Sequence, residues 1–276
     1  MSRSTEGEGI ERDKLQQLVA DSDTGGRNPK GPVALLLMLV ALAWSAFQLW
    51  YASPLPFALG VVVLNDTEAR AIHLAFAVFL SFTAYPAFKH SPRTYVPLQD
   101  WVFALAGAFC AAYLYLFYSQ LSTRPGQPTE IDIYVAVAGM LLLLEATRRA
   151  LGLPMVIVAG VFLAYTFLGP LMPEMIAHRG ASLSKATSHY WLTTEGVFGI
   201  ALGVSTSFIF LFVLFGSLLD KAGAGNYFIK SAFALLGHMR GGPAKAAVVS
   251  SAATGIISGS SIANVVTTGT FTIPLM

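Results

Sequence analysis

The stretch that decides the fold is the end of the chain, Ala246 to Met276, which reads AAVVSSAATGIISGSSIANVVTTGTFTIPLM. It contains no charged residue, so all of it is compatible with a lipid bilayer. As a helix its first part, Ala246 to Ile257, measures about 18 Å, well short of a hydrocarbon core of about 30 Å. A polar cluster then begins at Ser258. We therefore predict two short helical arms that meet at a polar tip, in place of one continuous span.

A break at membrane depth exposes backbone N–H and C=O groups, and it survives only inside protein or beside a water-filled cavity. In secondary transporters such breaks bind solutes and ions. Hydroxyl and amide oxygens suit a hard cation, and the chain has no Asp or Glu after Asp220, so the pattern favours a monovalent ion. The candidate binding residues are Ser258, Gly259, Ser260, Ser261, Asn264, Thr267 and Thr268, with sodium held by Ser258, Ser260 and Asn264. Helix packing through small residues is the competing interpretation.

The composition of the whole chain is that of a membrane protein. Of its 276 residues, 55% are hydrophobic and only 12% are charged, against about 25% charged in soluble domains. The formal net charge of +2 gives no reason to expect a nucleic acid partner. A single cysteine, Cys110, excludes a disulfide framework within the chain.

Six stretches are long and apolar enough to be predicted as transmembrane helices, since about 20 residues cross the bilayer. Loops rich in Pro, Gly or polar residues separate them. Between the fifth and sixth, the polar segment 173–196 is expected to lie along the outer interface, with Tyr190 and Trp191 at headgroup level. The predicted spans are Pro32–Tyr51, Ala71–Phe88, Trp101–Tyr118, Ile133–Leu151, Leu153–Met172 and Gly196–Leu219.

The basic residues at the span ends predict the orientation, because Lys and Arg collect on the cytoplasmic side. With a cytoplasmic N-terminus, four basic clusters fall on one side: Arg27 with Lys30, Lys89 with Arg93, Arg148 with Arg149, and Lys221. We predict three parts: a polar cytoplasmic tail over 1–31, a four-span scaffold over 32–151, and a transport part over 152–276 in which Gly, Ser and Thr are concentrated.

Two ionisable residues inside the predicted spans need an explanation, because intramembrane charges are costly. Glu145 is followed by Arg148 and Arg149 at i+3 and i+4, which predicts an intrahelical ion pair. His73 is interpreted as a hydrogen-bonded interfacial residue, with a proton relay as the alternative.

These segments resemble a known transporter family. GHMRGGPAKAAVVSSAATGIISGSSIANVVTTGTFTIPLM (Gly237 to Met276) resembles the first re-entrant hairpin region in the large membrane subunit of tripartite ATP-independent periplasmic (TRAP) transporters. RAIHLAFAVFLSFTAYP (Arg70 to Pro86) and LLLLEATRRALG (Leu141 to Gly152) resemble the small four-helix subunit, as fused in permeases of the TAXI type.

The resemblance implies an all-α polytopic membrane protein, with a four-helix small-subunit-like part followed by the first half of an elevator-type transport domain. It further implies a non-enzymatic, multi-pass permease of the bacterial inner membrane, driven by an ion gradient, usually of sodium, with no other cofactor. A periplasmic solute-binding protein would deliver a small organic anion such as a carboxylate. The hairpin-tip motif falls on Ser258, Gly259, Ser260 and Asn264, with Thr267 and Thr268 on the following arm. Relatives often have Asp at the position of Asn264, so this residue is expected either to contact an ion or to brace the tip.

The family's transport domain has a second, inverted half with its own hairpin, so the sequence is expected to be the N-terminal fragment of a longer permease. Two other functions stay open at this stage. One is a channel or pore-lining subunit. The other is an intramembrane hydrolase with Ser258 or Ser260 as nucleophile and His238 as base, which the absence of a G-x-S-x-G elbow disfavours.

Overall fold

The computed structural model describes residues 26–88 and 90–257, apart from the side chain of Asp220. Within these residues the chain forms helices and turns and no β-strand, which confirms the all-α prediction. Two compact units are present. The first is Gly26–Ile209, and the described part of the second is 210–257.

The first unit contains α1 to α9 together with one 3₁₀ turn and two π-helical turns. Its elements are α1 Pro32–Ala52, α2 Leu55–Leu59, α3 Asp66–Ala84, α4 Leu98–Leu116, α5 Tyr118–Ser122, α6 Glu130–Leu151, α7 Leu153–Leu168, the 3₁₀ turn Gly169–Leu171, α8 Leu183–Thr187, π1 Ser188–Leu192, α9 Ile200–Val204 and π2 Ser205–Ile209. The second unit contains α10 Phe210–Lys221, α11 Ala224–Leu236 and α12 Gly242–Ile257.

Four helical segments in the described part of the chain are long and apolar enough to cross a membrane. They coincide with the first, third, fifth and sixth predicted spans: Pro32–Ala52, Leu98–Leu116, Leu153–Leu171 and Ile200–Leu219. The second and fourth predicted spans are the helices α3 and α6, of 19 and 22 residues, which carry acidic residues in their first turns. That these two helices also cross the membrane stays a prediction, and their lengths allow it.

Side-chain caps fix where α3 and α6 begin. Asn65 accepts a hydrogen bond from the backbone N–H of Glu68 at 2.9 Å, and the Glu68 carboxylate accepts one from the Asn65 N–H at 3.0 Å. Thr129 and Asp132 form the same reciprocal capping box at the start of α6. The end of α3 lies at Ala84, earlier than the predicted Phe88, because Pro86 disfavours a helical conformation for Tyr85.

The core of the first unit lies between α3 and α4, which pack closely through small residues. Ala71, Ala104 and Ala111 are fully buried. A Cβ at Gly107 would lie 2.5 Å from Val78 Cγ1, so glycine is needed for this approach. The helices thus meet through small side chains, as is common for helices inside membranes.

Trp191 corrects one expectation. It was predicted at the headgroup level, but its side chain is only 1% exposed and lies in the core beside α6. The indole N–H donates to the carbonyl of Cys110 in α4 at 3.1 Å, and Phe198 meets the ring edge-on at 5.4 Å. A tryptophan whose N–H finds a partner can be buried completely.

The first compact unit extends beyond the boundary predicted at 151/152, because Trp191 and Phe198 complete its core. Compact packing and functional division are different properties of a chain. The partition into a tail, a scaffold part and a transport part therefore stays a prediction.

Candidate functional site

The predicted binding residues all lie outside the described residues: Ser258, Gly259, Ser260, Ser261, Asn264, Thr267 and Thr268. The structure describes the segment that leads to them. α12 is helical from Gly242 to Ile257 and includes the whole first arm predicted from the sequence.

Small residues form the buried side of this arm. Ala246, Ser250 and Thr254 recur every fourth position and are at most 3% exposed. α12 packs mainly against α11, which buries Gly225, Ile229 and Ala232. This spacing is the small-residue pattern by which membrane helices approach each other.

The two buried hydroxyl groups of α12 are satisfied by their own helix. Ser250 Oγ donates to the carbonyl of Ala247 at 3.1 Å, and Thr254 Oγ1 donates to the carbonyl of Ser250 at 2.8 Å. These residues therefore serve packing in the described structure. They supply an internal comparison for the serines that follow Ile257.

In the first unit, a polar cluster surrounds the buried side chain of His73, which is 4% exposed. Trp44 Nε1 donates to His73 Nδ1 at 3.2 Å, and the side-chain nitrogen of Gln48 contacts the same ring atom. On the other side of the ring, Nε2 lies 3.2 Å from Ser205 Oγ. His73 of α3 therefore joins α1 to the beginning of π2.

The hydrogen-bond partners determine the protonation state of this histidine. An indole nitrogen can only donate, so Nδ1 must be the acceptor. The ring proton therefore lies on Nε2 and is donated to Ser205. Adding a proton to Nδ1 would break the bonds to Trp44 and Gln48, so this arrangement favours a hydrogen-bonding role over a proton relay.

Arg70 lies one helical turn before His73 and holds the same neighbouring segment. Its Nη1 donates to the carbonyls of Phe198 at 2.9 Å and Gly199 at 3.3 Å. The guanidinium lies against Gly203, where a Cβ would be only 2.7 Å from Nη2. Two residues of α3 thus position the chain just before and at the start of π2.

A buried charge network lies at the other end of α3, away from His73. Arg27, with a fully buried side chain, pairs with Asp100 and donates to the carbonyls of Phe82 and Thr83 at 3.1 and 3.3 Å. Arg149, 1% exposed, pairs with both Asp100 and Glu145 at 2.8 Å. The network joins the segment before α1 to the ends of α3 and α6 and the start of α4.

The predicted pairing within α6 is confirmed. Arg148 Nε lies 2.7 Å from Glu145 Oε2 and Arg149 Nε lies 2.8 Å from Oε1. A cation–π contact further stabilises Arg149 in this position, since its guanidinium lies 4.8 Å from the centre of the Phe82 ring. Arg27 and Asp100 were not expected in this cluster, because residues 73 positions apart leave no periodic signal in a sequence.

A recess of about 230 Å³ lies at the other end of the first unit, between the ends of α4 and α6 and π1. Its polar wall is the pair of Arg124 and the fully buried Asp132, with Nη1 3.0 Å from Oδ2. The Tyr113 hydroxyl donates to the same carboxylate at 2.6 Å. The hydroxyl-bearing residues Thr67, Ser188 and Thr193 also line the recess.

Several of the basic residues that set the predicted orientation lie together at one end of the first unit. Arg27, Arg148 and Arg149 lie at one end of the first unit, and the backbone N–H of Asn28 donates to the carbonyl of Arg93 at that same end. Arg70 and Arg124 lie at the other end. Lys89 falls outside the described residues.

No cluster of three or more His, Cys, Asp or Glu residues that could hold a metal ion occurs in the part of the chain that the structure describes.

Comparison with known proteins identifies the family. Residues 138–276 match the family described as "Tripartite ATP-independent periplasmic transporter, DctM component". The match covers 139 of 276 residues, slightly more than half of the chain, and includes the whole uncharged stretch from Ala246. Comparison with curated proteins and with solved structures gave no match. Together with the several membrane-compatible helices, the match means that the chain belongs to the DctM family of TRAP transporter membrane components.

Proposed function

We propose that the chain belongs to a permease that imports small organic anions such as carboxylates, coupled to an ion gradient and supplied by a periplasmic solute-binding protein. The observation that carries the proposal is the family match through Met276, which contains the neutral, oxygen-rich cluster. Family membership makes solute transport, as a membrane component of a TRAP transporter, the expected activity. The solute class, coupling ion and partner are the proposed refinements.

Sodium is the coupling ion that fits the cluster. Ser258, Ser260 and Asn264 would supply neutral oxygens, which bind a monovalent ion weakly enough to release it in every transport cycle. The neighbouring Gly259 and Ser261 would form the tip, and Thr267 and Thr268 the following arm. In this arrangement a bound ion organises backbone groups of the tip, which then receive the anion.

The mechanism that we propose is an elevator-type movement of a re-entrant hairpin, with α12 as its first arm. α12 contains Lys245 near its start and no charged residue from Ala246 onward, so the arm suits insertion into a membrane. The helix ends that carry Arg27, Arg148 and Arg149 would face the cytoplasm of a bacterial inner membrane. The recess beside Arg124 would then face the periplasm.

The proposal is tested with the complete permease in proteoliposomes. The binding protein is first screened against carboxylates by thermal shift, and the best carboxylate is then used in labelled form. We expect uptake that saturates and that requires both the binding protein and an inward sodium gradient. Uptake that needs neither, or an ionic conductance far above transporter turnover, would contradict the proposal and favour a channel.

A further inference from the structure

The π-helical turn π2 (Ser205–Ile209) lies where the chain leaves the first compact unit, which ends at Ile209. α9 precedes it and α10 follows it without a break in helical conformation. A π turn inside a helix has weaker, wider hydrogen bonding than the α-helix around it and is frequently found at functional sites. It is also one of the few features that permit a helix to bend.

The beginning of π2 is held by side chains of α3. His73 Nε2 donates to Ser205 Oγ at 3.2 Å, and the ring of His73 is fixed in turn by Trp44 and Gln48 of α1. Arg70 binds the carbonyls of Phe198 and Gly199, immediately before α9. The segment 198–205 is therefore attached at both of its ends to the same face of α3.

The remainder of π2 is attached differently. Thr206 Oγ1 donates to the carbonyl of Leu202 and Ser207 Oγ to that of Gly203, both at 2.8 Å, so these two hydroxyls bond within their own helix. Phe208 and Ile209 are 67% and 49% exposed. Among the hydrogen bonds described, the one from His73 to Ser205 is thus the last that joins α3 to π2; Thr206 beside it is still buried, and the exposed part of the turn begins at Ser207.

We propose that His73 is a positioning residue that fixes one side of a hinge. By binding Ser205 it holds the start of π2, so that movement of the second unit is taken up over residues 206–209. The inference rests on the proposed transport function, in which the hairpin must move, and it assigns a place to the bend that the movement requires. Hinges are commonly a few residues at the end of an element that absorb backbone changes.

The chain offers a matched set of variants. Ser205→Ala removes the acceptor of the His73 bond, and Ser205→Thr retains a hydroxyl. Ser207→Ala makes the same chemical change two residues later, where the hydroxyl bonds only its own helix. If the hinge depends on His73, only Ser205→Ala should alter it.

The experiment is a spin-label distance measurement on the complete permease in nanodiscs, in a Cys110→Ala background. One pair of labels, Thr94→Cys and Thr123→Cys, lies at exposed positions within the first unit. The second pair combines Thr123→Cys with Tyr227→Cys, an exposed position of the second unit. We expect Ser205→Ala to broaden or shift the distance distribution of the second pair only, and Ser205→Thr to restore it.

Transport gives an independent readout. Loss of one hydrogen bond corresponds to about a threefold to tenfold fall in the uptake rate, with an unchanged half-saturating sodium concentration. Identical distributions in wild type and Ser205→Ala would overturn the inference, as would equal effects of Ser205→Ala and Ser207→Ala. Because the distances are measured without solute, a failure of sodium coupling would contradict the proposed function and leave this test intact.

Discussion

At the scale of single residues, the packing of Trp191 depends on the absence of a side chain at Gly139. A Cβ there would lie 2.3 Å from Trp191 Cζ2. The indole fills this space and donates to the Cys110 carbonyl, so one glycine allows π1 to dock on α6.

We predict that Gly139→Ala displaces Trp191 and destabilises the protein by about 1–3 kcal/mol, the usual cost of overpacking. Gly160→Ala in α7 is the matched control, since no atom lies within 4 Å of its Cβ position and alanine favours a helix. Thermal unfolding in detergent should show a lower melting temperature for Gly139→Ala only. Equal melting temperatures for both variants would contradict this account of Trp191.

The buried carboxylate of Asp100 supports a second prediction. It neutralises Arg27 and Arg149, whose side chains are 0% and 1% exposed. Asp100→Asn should therefore leave two buried arginines undercompensated and cost about 3–5 kcal/mol.

The control for Asp100 is Asp66→Asn, which weakens a 3.7 Å pair with Arg70 in which the Asp66 side chain is 77% exposed. Exposed pairs contribute below about 1 kcal/mol. The two variants are compared by thermal unfolding at neutral pH. A loss for Asp100→Asn no larger than that for Asp66→Asn would show that the buried network does not stabilise the fold.

Sequence reasoning was most successful where the partners are local. The i+3 and i+4 spacing of Arg148 and Arg149 from Glu145 predicted their ion pairs. The spacing Asn65-x-x-Glu68 was an available capping signal, whose geometry the structure shows. Asp100 and Ser205 could not be placed, because their partners Arg27 and His73 come from distant parts of the chain.

At the scale of elements, the ends of neighbouring long helices show the direction in which each helix runs. Arg27 contacts the end of α3 and the start of α4, whereas the Tyr51 hydroxyl near the end of α1 donates to Asp66 at the start of α3. Successive long helices therefore run in opposite directions. The six predicted spans coincide with the four segments that are long and apolar enough to cross a membrane and with α3 and α6, which carry acidic residues in their first turns.

The π turns were beyond sequence prediction. π1 contains Trp191, whose packing beside Gly139 joins residues that are far apart in the sequence. The rule that aromatic residues gather at the interface placed Trp191 wrongly, since it does not account for a space left in a neighbouring helix.

The orientation of the helices gives a third prediction. If the arginine network faces the cytoplasm, Thr94→Cys should react with a membrane-impermeant maleimide only in permeabilised cells, and Thr123→Cys should react in intact cells. Both positions are exposed, and a Cys110→Ala background removes the native thiol. The reverse labelling pattern would show that the N-terminus is periplasmic.

At the scale of the whole molecule, the family match and the buried polar contacts of the first unit cover different parts of the chain. The family match spans 138–276, whereas the buried polar contacts of the first unit also involve residues before 138, such as Trp44, His73 and Asp100. The first unit thus connects the predicted scaffold part to the beginning of the matched region. The division of function between a scaffold part, 32–151, and a transport part, 152–276, stays a prediction.

The central claim is that the serines and the asparagine after Ile257 bind sodium, in contrast to the two buried hydroxyls of α12, at Ser250 and Thr254, which serve packing. Ser250 provides the control, because it is fully buried and donates to its own helix. Ser250→Ala therefore makes the same chemical change as Ser260→Ala at a site where only packing is involved.

The most direct test is the sodium dependence of uptake in the complete permease with its binding protein, measured for wild type, Ser250→Ala, Ser260→Ala and Asn264→Ala. The account predicts that the half-saturating sodium concentration rises by about fivefold or more in Ser260→Ala and Asn264→Ala, as expected for the loss of about 1 kcal/mol of ligand binding, and stays unchanged in Ser250→Ala. An unchanged sodium dependence in both Ser260→Ala and Asn264→Ala would contradict it and assign these side chains to helix packing.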